Sequence, residues 1–449
     1  MSKTRIVYCR ALLMLLLSAV MAVGARADGN EFSVPYKFQP ESVSTFTSPL
    51  GSEPDSRPVL GSDGALYGMA FGGSNGNGVI YRFDWQSQQY TLLYTFSATD
   101  ANGNNSDGAI PGVALTRGPG DVFYGMAEFG GQNGNATIFK ITKSGEFTVL
   151  HTFSALDANG NNEDGASPLR TIVVGKNGNL YGTARIGGEN TCGELPFPNG
   201  CGVAWVIDDA GNFHVLHQFT PAEGHAASLL PARDGFFYGC AVWPNTSLPN
   251  GQPLPSGALY RMRPSGDHFE VLYTFSQTNS AGENVDGAEC YEPLVETKRG
   301  VFYGTTRLGG ANGNGVVFRF SLSHPGAVDV LHTFSATNTS GENWDGANPF
   351  ARLTLGDDGS MYSTASNGGA NGNGVVYRIN ADGDFHVLHT FSATDPTTGA
   401  NSDGAVPDLG VLLGSNNSLI GTAALGGLGS PAGLGNSGGT IYELQIDEE

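Results

Sequence analysis

The feature that most constrains the fold of this chain is an internal repeat. An aromatic residue followed by glycine recurs along the sequence, twice in weaker form, as Tyr67-Gly68, Tyr124-Gly125, Tyr181-Gly182, Tyr238-Gly239, Tyr303-Gly304, Tyr362-Ser363 and Ile420-Gly421. Successive copies lie 57, 57, 57, 65, 59 and 58 residues apart. Units of this length do not bury a core alone, so neighbouring copies must pack together. Seven copies account for nearly all of the chain after its first 27 residues.

One copy, residues 349–391, shows what each repeat contains. Glycine-rich turns separate four short apolar segments, which are Leu353–Leu355, Met361–Ala365, Val375–Ile379 and Phe385–Phe391. Four short strands joined by glycine turns are typical of a propeller blade. Glycine makes up 67 of the 449 residues, which excludes a helical bundle because glycine at this density breaks helices.

The two ends of the repeat array favour a closed ring over a linear solenoid. The last copy stops after the strand 440–444, without a fourth strand, whereas Ser42–Ser48 resembles the fourth strand Leu331–Ser335. An N-terminal strand in the last blade would leave no open sheet edge. We therefore predict an all-β, seven-bladed β-propeller at residues 42–449, preceded by a lead-in at residues 28–41.

The N-terminus has the features of a signal peptide. Lys3, Arg5 and Arg10 precede the apolar run 11–23, and the tripeptide 25–27 fits an Ala-x-Ala cleavage site. We expect cleavage after residue 27 and export to the periplasm or the extracellular space. No later apolar segment is long enough to span a membrane.

Four cysteines remain once Cys9 is removed with the signal peptide, and an exported chain is expected to pair them. Three pairings are open in principle. Cys192 and Cys201 bracket a proline- and glycine-rich insertion, which favours a bridge between them. The pair Cys240–Cys290 then follows by elimination.

The net charge excludes nucleic acid as a partner, and the acidic loops raise the question of metal binding. The formal net charge is −20, so the basic surface that nucleic-acid binding requires is missing. Asn-x-Asp-Gly-Ala recurs before most repeats and includes Asn105, Asp107, Asn343 and Asp345. Short Asx side chains that bond their own backbone explain this pattern as a turn. We predict no cofactor and no metal, with calcium binding by these loops as the alternative.

The repeat resembles a known family. The pattern runs from Asp345-Gly346-Ala347 through Tyr362 and Gly368-Gly369 to Gly374-Val375-Val376 and the strand 387–391. It is similar to the GloVer tandem repeat of bacterial exported proteins described as "choice-of-anchor". The resemblance covers nearly the whole chain after the signal peptide. It implies a repeat architecture and export, but no particular reaction.

Candidate binding residues lie where individual copies depart from the repeat. Two positions before the Gly-Gly pair, three copies carry Glu128, Arg185 or Arg307. In the opening strand, Arg170 and Arg352 stand among apolar or small residues. Arginine binds carboxylates through two parallel hydrogen bonds, which suggests an acidic sugar or another carboxylated ligand. Salt bridges on the surface of an acidic protein are the alternative explanation.

Histidine and tryptophan supply three more candidates. His225 and Trp243 belong to the most divergent repeat, and Trp344 lies in a blade loop, where an indole can stack on a sugar. Other histidines recur at one repeat position, which favours packing over catalysis; they are His151, His217, His332 and His389.

No standard catalytic motif is present: the sequence has no G-x-S-x-G, no H-E-x-x-H and no P-loop. We therefore predict a monomeric, exported propeller that binds a polysaccharide or protein ligand through one face. The alternative is an extracellular carbohydrate-active enzyme, a polysaccharide lyase or glycosidase acting on acidic polysaccharide. Unsaturated products, detected by their ultraviolet absorbance after incubation with acidic polysaccharides, would identify the lyase.

Overall fold

The computed structural model describes residues 31–446, except 43, 113, 193–199, 244–255, 416, 431–432 and 434–436. The predicted signal peptide, residues 1–27, lies outside the described residues. The described chain forms seven small antiparallel sheets, each a blade of a β-propeller. A single turn of 3-10 helix, Pro119–Asp121, precedes the second strand of blade 2. Within the described residues, no helix is both long and apolar enough to cross a membrane.

The strands follow the chain from one blade to the next. Blade 1 contains β2 (Ser48–Ser52), β3 (Val59–Leu60), β4 (Leu66–Gly73), β5 (Val79–Asp84) and β6 (Gln89–Thr95). Blade 2 contains β7 (Thr116–Arg117), β8 (Val122–Ala127), β9 (Thr137–Thr142) and β10 (Phe147–Thr152). Blade 3 contains β11 (Ala166–Val174), β12 (Leu180–Ile186), β13 (Val203–Ile207) and β14 (Phe213–Gln218). Blade 4 contains β15 (His225–Ala226), β16 (Leu230–Pro231), β17 (Phe237–Val242), β18 (Ala258–Met262) and β19 (Glu270–Thr274).

The remaining three blades have the same plan. Blade 5 contains β20 (Val295–Lys298), β21 (Val301–Thr306), β22 (Val316–Ser321) and β23 (Val328–Thr333). Blade 6 contains β24 (Thr354–Leu355), β25 (Met361–Ala365), β26 (Val375–Ile379) and β27 (Phe385–Thr390). Blade 7 contains β28 (Val411–Leu413), β29 (Ser418–Ala423), β30 (Thr440–Gln445) and the N-terminal β1 (Phe32–Lys37). The opening strands of neighbouring blades contact one another, as β3 does β7 and β20 does β24, so they surround a central channel.

The last blade is closed by the N-terminal strand, but the strand lies earlier than predicted. β1 pairs with β30, with Phe32 opposite Leu444 and Lys37 opposite Thr440. Phe38 then donates its N–H to Gly439 O, as the equivalent phenylalanine does in the other blades. The segment 42–48 predicted from its Thr-Phe pattern instead begins as a turn closed by the Ser42 N–H to Thr47 O bond. The predicted lead-in, residues 28–41, therefore contains the closing strand.

The glycine of the repeated aromatic–glycine step makes room for a large ring on the next strand. A Cβ at Gly125 would lie 2.5 Å from Phe139, and one at Gly182 would lie 2.4 Å from the indole of Trp205. Both rings are fully buried. The glycine of the aromatic–glycine step therefore recurs because the second strand lies close against an aromatic ring of the third strand.

The recurrent histidines pack neighbouring blades together. Each stacks on a phenylalanine of the next blade, with ring centroids 3.8–4.0 Å apart; the pairs are His151–Phe213, His217–Phe269, His332–Phe385 and His389–Phe32. Each histidine also places Nε2 3.0–3.1 Å from a carboxylate of the following loop. A contact that repeats in four blades is part of the scaffold.

Two disulfides are present, Cys192–Cys201 and Cys240–Cys290, as the sequence predicted. The second joins blade 4 to the loop that opens blade 5. Where blade 5 has Cys290, other blades have a proline that lies against a glycine of the preceding blade; the pairs are Pro54–Gly439, Pro111–Gly78, Pro349–Gly315 and Pro407–Gly374. The disulfide therefore replaces a packed contact between blades with a covalent one.

Candidate functional site

The central channel holds a cavity of about 550 Å³. Residues in or just before the opening strands of six blades line it, so it lies on the propeller axis. Its charged lining residues are Arg57, Arg117, Arg170, Glu292 and Arg352. Its apolar lining residues include Leu60, Leu412 and Leu413. A concave site with a few charged groups in an apolar wall is typical of small-ligand sites.

One end of the channel, which we call the mouth, collects charged residues from two sets of strands. Arg185 and its equivalents in other blades lie at the end of the second strand, next to the start of the opening strand of the same blade. The register Ala166–Ile186 between β11 and β12 shows this placement. We define the mouth by Asp55, Glu128, Arg170, Arg185, Arg307 and Asp408, whose charges act on one another.

Arg170 is the most constrained residue of the mouth. Its Nη1 lies 2.9 Å from Glu292 Oε1, and its Cζ lies 4.2 Å from the ring centroid of Phe350 and 5.3 Å from that of Tyr291. The backbone of Arg170 has φ +68° and belongs to an irregular stretch of the β11–β12 ladder between Leu169 and Val173. Such backbone costs about 1–3 kcal/mol and persists where the surroundings hold it. This irregular backbone directs the guanidinium of Arg170 from blade 3 across the channel, toward Glu292 in the segment that opens blade 5.

Three arginine side chains have a buried donor without a protein acceptor. Among the described residues, the Nε atoms of Arg57, Arg170 and Arg185 are buried and make no hydrogen bond. A buried polar group without a partner costs about 1–3 kcal/mol, and such groups are rare in folded proteins. The described chain leaves these three donors unused, and two of them belong to arginines that line the cavity, Arg57 and Arg170.

The carboxyls of the mouth are held in an environment that opposes ionisation. Burial and, after it, the negative charge of Asp408 raise the pKa of Asp55 to about 8. Burial also raises the pKa of Asp408 and of Glu128, although Arg170 lowers both. Burial and the charge of Asp408 both favour the protonated form of Asp55. A Cβ on Gly112 would lie 3.1 Å from Glu128 Oε1 and 3.9 Å from Asp55 Oδ2, so these two carboxyls lie close together.

Arginines deeper in the channel repel one another across a buried glutamate. Burial and, after it, the charge of Arg352 lower the pKa of Arg57 to about 10, against the opposing effect of Glu292. Burial likewise lowers the pKa of Arg352. Both guanidinium groups remain charged at neutral pH. Glu292 is the carboxylate that balances this set, and it acts on Arg57, Arg170 and Arg352 together.

Of the eight binding residues predicted from the sequence, six lie at the channel. Arg170 and Arg352 line the cavity. Glu128, Arg185 and Arg307 lie at the mouth, where Arg307 Nη1 is 3.2 Å from Glu289. His225 is 2% exposed and donates its Nδ1–H to the Arg185 carbonyl at 3.0 Å, and burial lowers its pKa to about 4. His225 therefore supports the backbone of Arg185 as a neutral imidazole.

The two predicted tryptophans are not part of this cluster. Trp243 is 8% exposed and donates its indole N–H to Pro221 O at 2.9 Å, so it has no free face. Trp344 is 60% exposed, but its ring packs edge-on against His332 and Phe385, which belong to outermost strands. The position of Trp344 is on the rim of blade 6, away from the channel.

Several residues of the site were not predicted from the sequence. They are Asp55, Arg57, Tyr291, Glu292, Phe350 and Asp408. All lie in the segments that open their repeats, where Asp55 and Asp408 occupy the position that holds Gly112 in blade 2. The position that holds Asp55, Gly112, Tyr291, Phe350 and Asp408 varies from blade to blade, and this variation is the sequence signal that could have pointed to it. An exposed aromatic beside the mouth, Phe129, follows Glu128 directly and is 50% exposed.

The Asn-x-Asp-Gly-Ala loops use their side chains to hold the turn. Asn105 accepts the N–H groups of Gly108 and Gly131 and donates to two carbonyls. Asp107 accepts from the Tyr94 hydroxyl and the Ser97 N–H. In the part of the chain that the structure describes, no group of three or more His, Cys, Asp or Glu side chains is arranged to hold a metal.

The fold and the channel define a seven-bladed repeat propeller with an arginine-rich axial cavity. The chain belongs to the Gloeobacter/Verrucomicrobia repeat family, whose model matches residues 16–196, 158–343 and 196–430. No curated protein sequence matches the chain.

Solved structures share the fold at low sequence identity. An oligogalacturonate lyase from Vibrio parahaemolyticus is 12% identical, with 94% of this chain and 95% of that chain covered and a TM-score of 0.50. An oligogalacturonate lyase in complex with manganese is 12% identical, with 94% of each chain covered and a TM-score of 0.49. A gluconolactonase from Xanthomonas campestris is 13% identical, with coverages of 95% and 93% and a TM-score of 0.40. These similarities concern the fold alone.

Proposed function

We propose that this protein binds a glycan that carries carboxylate groups, and that the arginines of the channel and its mouth hold those carboxylates. The observation that carries the proposal is the set of buried Nε donors of Arg57, Arg170 and Arg185, which have no acceptor among the described residues. A carboxylate is the acceptor that matches the planar guanidinium best.

The charge of the site supports an anionic ligand. Six arginines line the channel or lie at its mouth in a chain that has only 22 lysines and arginines in total. Burial raises the pKa of the carboxyls Asp55, Glu128 and Asp408 between them, which favours their neutral forms. The site therefore keeps more positive charge than its composition indicates, in a protein that is otherwise strongly acidic.

The shape of the site supports a sugar rather than a protein partner. The cavity of about 550 Å³ is concave and of a size that holds a small ligand. Tyr291 and Phe350 lie beside Arg170, whose guanidinium is stacked over both rings, so an aromatic surface adjoins the charged groups of the mouth. A protein partner would instead require a broader surface.

The binding proposal is tested by calorimetry with two matched probes, an oligogalacturonate and its methyl ester. The ester has the same sugar but no negative charge. We expect the acid to bind and the ester to bind at least about tenfold more weakly, because hydrogen bonds to charged groups contribute about 1.5–3 kcal/mol. If the tested protein binds the ester as well as the acid, or binds only protein ligands, the proposal is wrong.

A variant pair tests the role of the arginines themselves. Arg185→Met keeps the length of the side chain but removes the donors, and we expect it to weaken acid binding about tenfold or more. Arg319→Met is the control, because Arg319 pairs with Asp329 on an outer strand surface at 2.8 Å. Equal losses in the two variants would contradict binding at the mouth.

We also propose that the protein is exported and acts as a monomer in the periplasm or outside the cell. Two disulfides support an oxidising compartment. N-terminal sequencing of the mature protein should begin at Asp28, and light scattering should give the mass of one chain. A mature protein that starts at Met1 would contradict the export proposal.

A further inference from the structure

The wall of the channel is built in levels by the segments that open the blades. In blade 1, Asp55, Arg57 and Val59 are partly exposed and alternate with buried neighbours, so they face the same side of the extended chain. Two other blades repeat this alternation, at Gly112, Ala114 and Thr116 and at Phe350, Arg352 and Thr354. Successive levels are about 6.6 Å apart, because a strand rises about 3.3 Å per residue.

The register of the strands shows which residues share a level. Val59, Thr116 and Thr354 each lie opposite the tyrosine that begins the second strand of their blade. In blade 7, Leu412 lies opposite Ile420, which fills the position of that tyrosine. These four residues therefore form one level, which is one step farther from the mouth than the level of the arginines.

The lining of the cavity changes from charged to apolar along this direction. Arg57 and Arg352 line the cavity at the level nearer the mouth. One position beyond the deeper level, Leu60 and Leu413 occupy the same repeat position in neighbouring blades 1 and 7. They line the same cavity and are 38% and 36% exposed. A ligand held by the arginines can therefore extend along the axis to an apolar wall.

The described residues of the deeper part have their hydrogen-bond donors in use. The hydroxyls of Thr116 and Thr354 each donate to a backbone carbonyl of the next blade. Arg117 also lines the cavity, and its Nε lies 2.6 Å from Asp121 of its own blade. A sugar hydroxyl buried against the leucines would lack a donor there, which is unfavourable. An apolar group avoids this cost.

We propose that the channel binds a uronate whose anomeric oxygen carries an apolar group, which makes the ligand an aryl or alkyl glycoside. The carboxylate lies against Arg57 and Arg352, and the apolar group extends to Leu60 and Leu413. This inference rests on the proposed function, because the arginines must hold the carboxylate before the apolar group can reach the leucines. Binding breaks no bond.

The experiment compares matched glycosides by calorimetry on the mature protein. The probes are the phenyl and the methyl glycosides of galacturonate and of glucuronate, the uncharged phenyl galactoside and phenyl glucoside, and an oligogalacturonate. In at least one sugar series, we expect the phenyl uronide to bind at least about tenfold more tightly than the methyl uronide, because the phenyl ring is removed from water. It should also bind at least about tenfold more tightly than the uncharged phenyl glycoside.

A double variant tests where the apolar group lies. Leu60→Ser with Leu413→Ser should bring the ratio of phenyl to methyl affinity close to one, because it replaces the apolar wall with hydroxyls. Both leucines are exposed, so the fold should tolerate the change, and the melting temperature checks this. Leu50→Ser is the matched control, because Leu50 is 44% exposed and lies outside the cavity lining. It should keep the ratio of the wild type.

The outcomes separate this inference from the binding proposal. If the oligogalacturonate binds and the phenyl uronides bind no more tightly than the methyl uronides, this inference is overturned and the binding proposal stands. If no charged probe binds more tightly than the uncharged ones, the binding proposal fails and this inference fails with it. An unchanged affinity ratio in the double variant, with a melting temperature like that of the wild type, overturns the placement of the apolar group against Leu60 and Leu413.

Discussion

At the residue scale, Glu292 shows how the site is held together. It is a buried carboxylate among Arg57, Arg170 and Arg352, and it lies 2.9 Å from Arg170 Nη1. The three arginines would repel one another without it. Apolar side chains of the same volume would avoid the free-energy cost of removing charges from water. The presence of Glu292 is therefore explained by the site rather than by the stability of the fold.

Glu292→Gln should destabilise the fold. Removing one partner of a buried charge network leaves the others uncompensated, which costs about 3–5 kcal/mol. The free energy of unfolding in urea measures the loss. Asp329→Asn is the matched control, since Asp329 pairs with Arg319 at the surface and such pairs contribute about 0–1 kcal/mol. Equal losses in the two variants would show that Glu292 does not balance the arginines.

Asp55 makes stability depend on pH in a defined direction. Burial and the negative charge of Asp408 raise its pKa in the folded protein from an ordinary value of 3.8 to about 8. Between these values the folded state binds a proton that the unfolded state has lost, so the contribution of Asp55 to stability falls as pH rises from about 4 to about 8. Asp55→Asn removes this dependence. The melting temperature of the variant minus that of the wild type should therefore increase from pH 5 to pH 9, and a constant difference would contradict the raised pKa.

At the element scale, the strand plan of a blade could be predicted from the sequence because turns and strands are local. The predicted segments Met361–Ala365 and Val375–Ile379 coincide with β25 and β26. The closing strand could not be predicted as reliably. Tyr36, Lys37 and Phe38 fill the positions of His389, Thr390 and Phe391, but their pairing partner is some 400 residues away, and only the closed ring selects them over the Thr-Phe at 45–46.

The difference between local and long-range information also explains which site residues could be predicted from the sequence. Arg170, Arg185 and Arg307 stood out because basic residues are scarce in this chain. Asp55 and Asp408 did not stand out, because carboxylates are common throughout the acidic sequence. Their importance depends on which side of the opening segment faces the axis, and that direction is a property of the folded ring.

The Cys240–Cys290 disulfide should stabilise the junction of blades 4 and 5. It closes a loop of 50 residues, and loss of such a bridge costs about 2–5 kcal/mol. We expect Cys240→Ala with Cys290→Ala to lower the free energy of unfolding by this amount. Cys240→Ala with Cys290→Pro restores the proline that other blades carry and should recover part of the loss. No difference between the two double variants would contradict the equivalence of the disulfide and the proline contact.

At the whole-molecule scale, the ring depends on a contact between the two ends of the chain. β1 is the outermost strand of blade 7, and Phe32 stacks on His389 of blade 6 with ring centroids 3.8 Å apart. The N-terminal strand therefore joins the last blade to its neighbour and to the start of blade 1. A ring closed in this way keeps the arginines of blades 3, 5 and 6 and the carboxyls of blades 1 and 7 in register around one channel.

Two N-terminal truncations test this dependence. A chain that begins at Glu31 keeps β1, and we expect it to melt in one transition at the temperature of the mature protein. A chain that begins at Gln39 lacks β1 and Phe38, which exposes the edge of β30 and removes the stacking partner of His389. We expect its melting temperature to fall by about 5 °C or more and the protein to self-associate through the open edge. Calorimetry and light scattering measure both effects. A chain from Gln39 that stays monomeric and melts like the chain from Glu31 would show that the ring closes without its N-terminal strand.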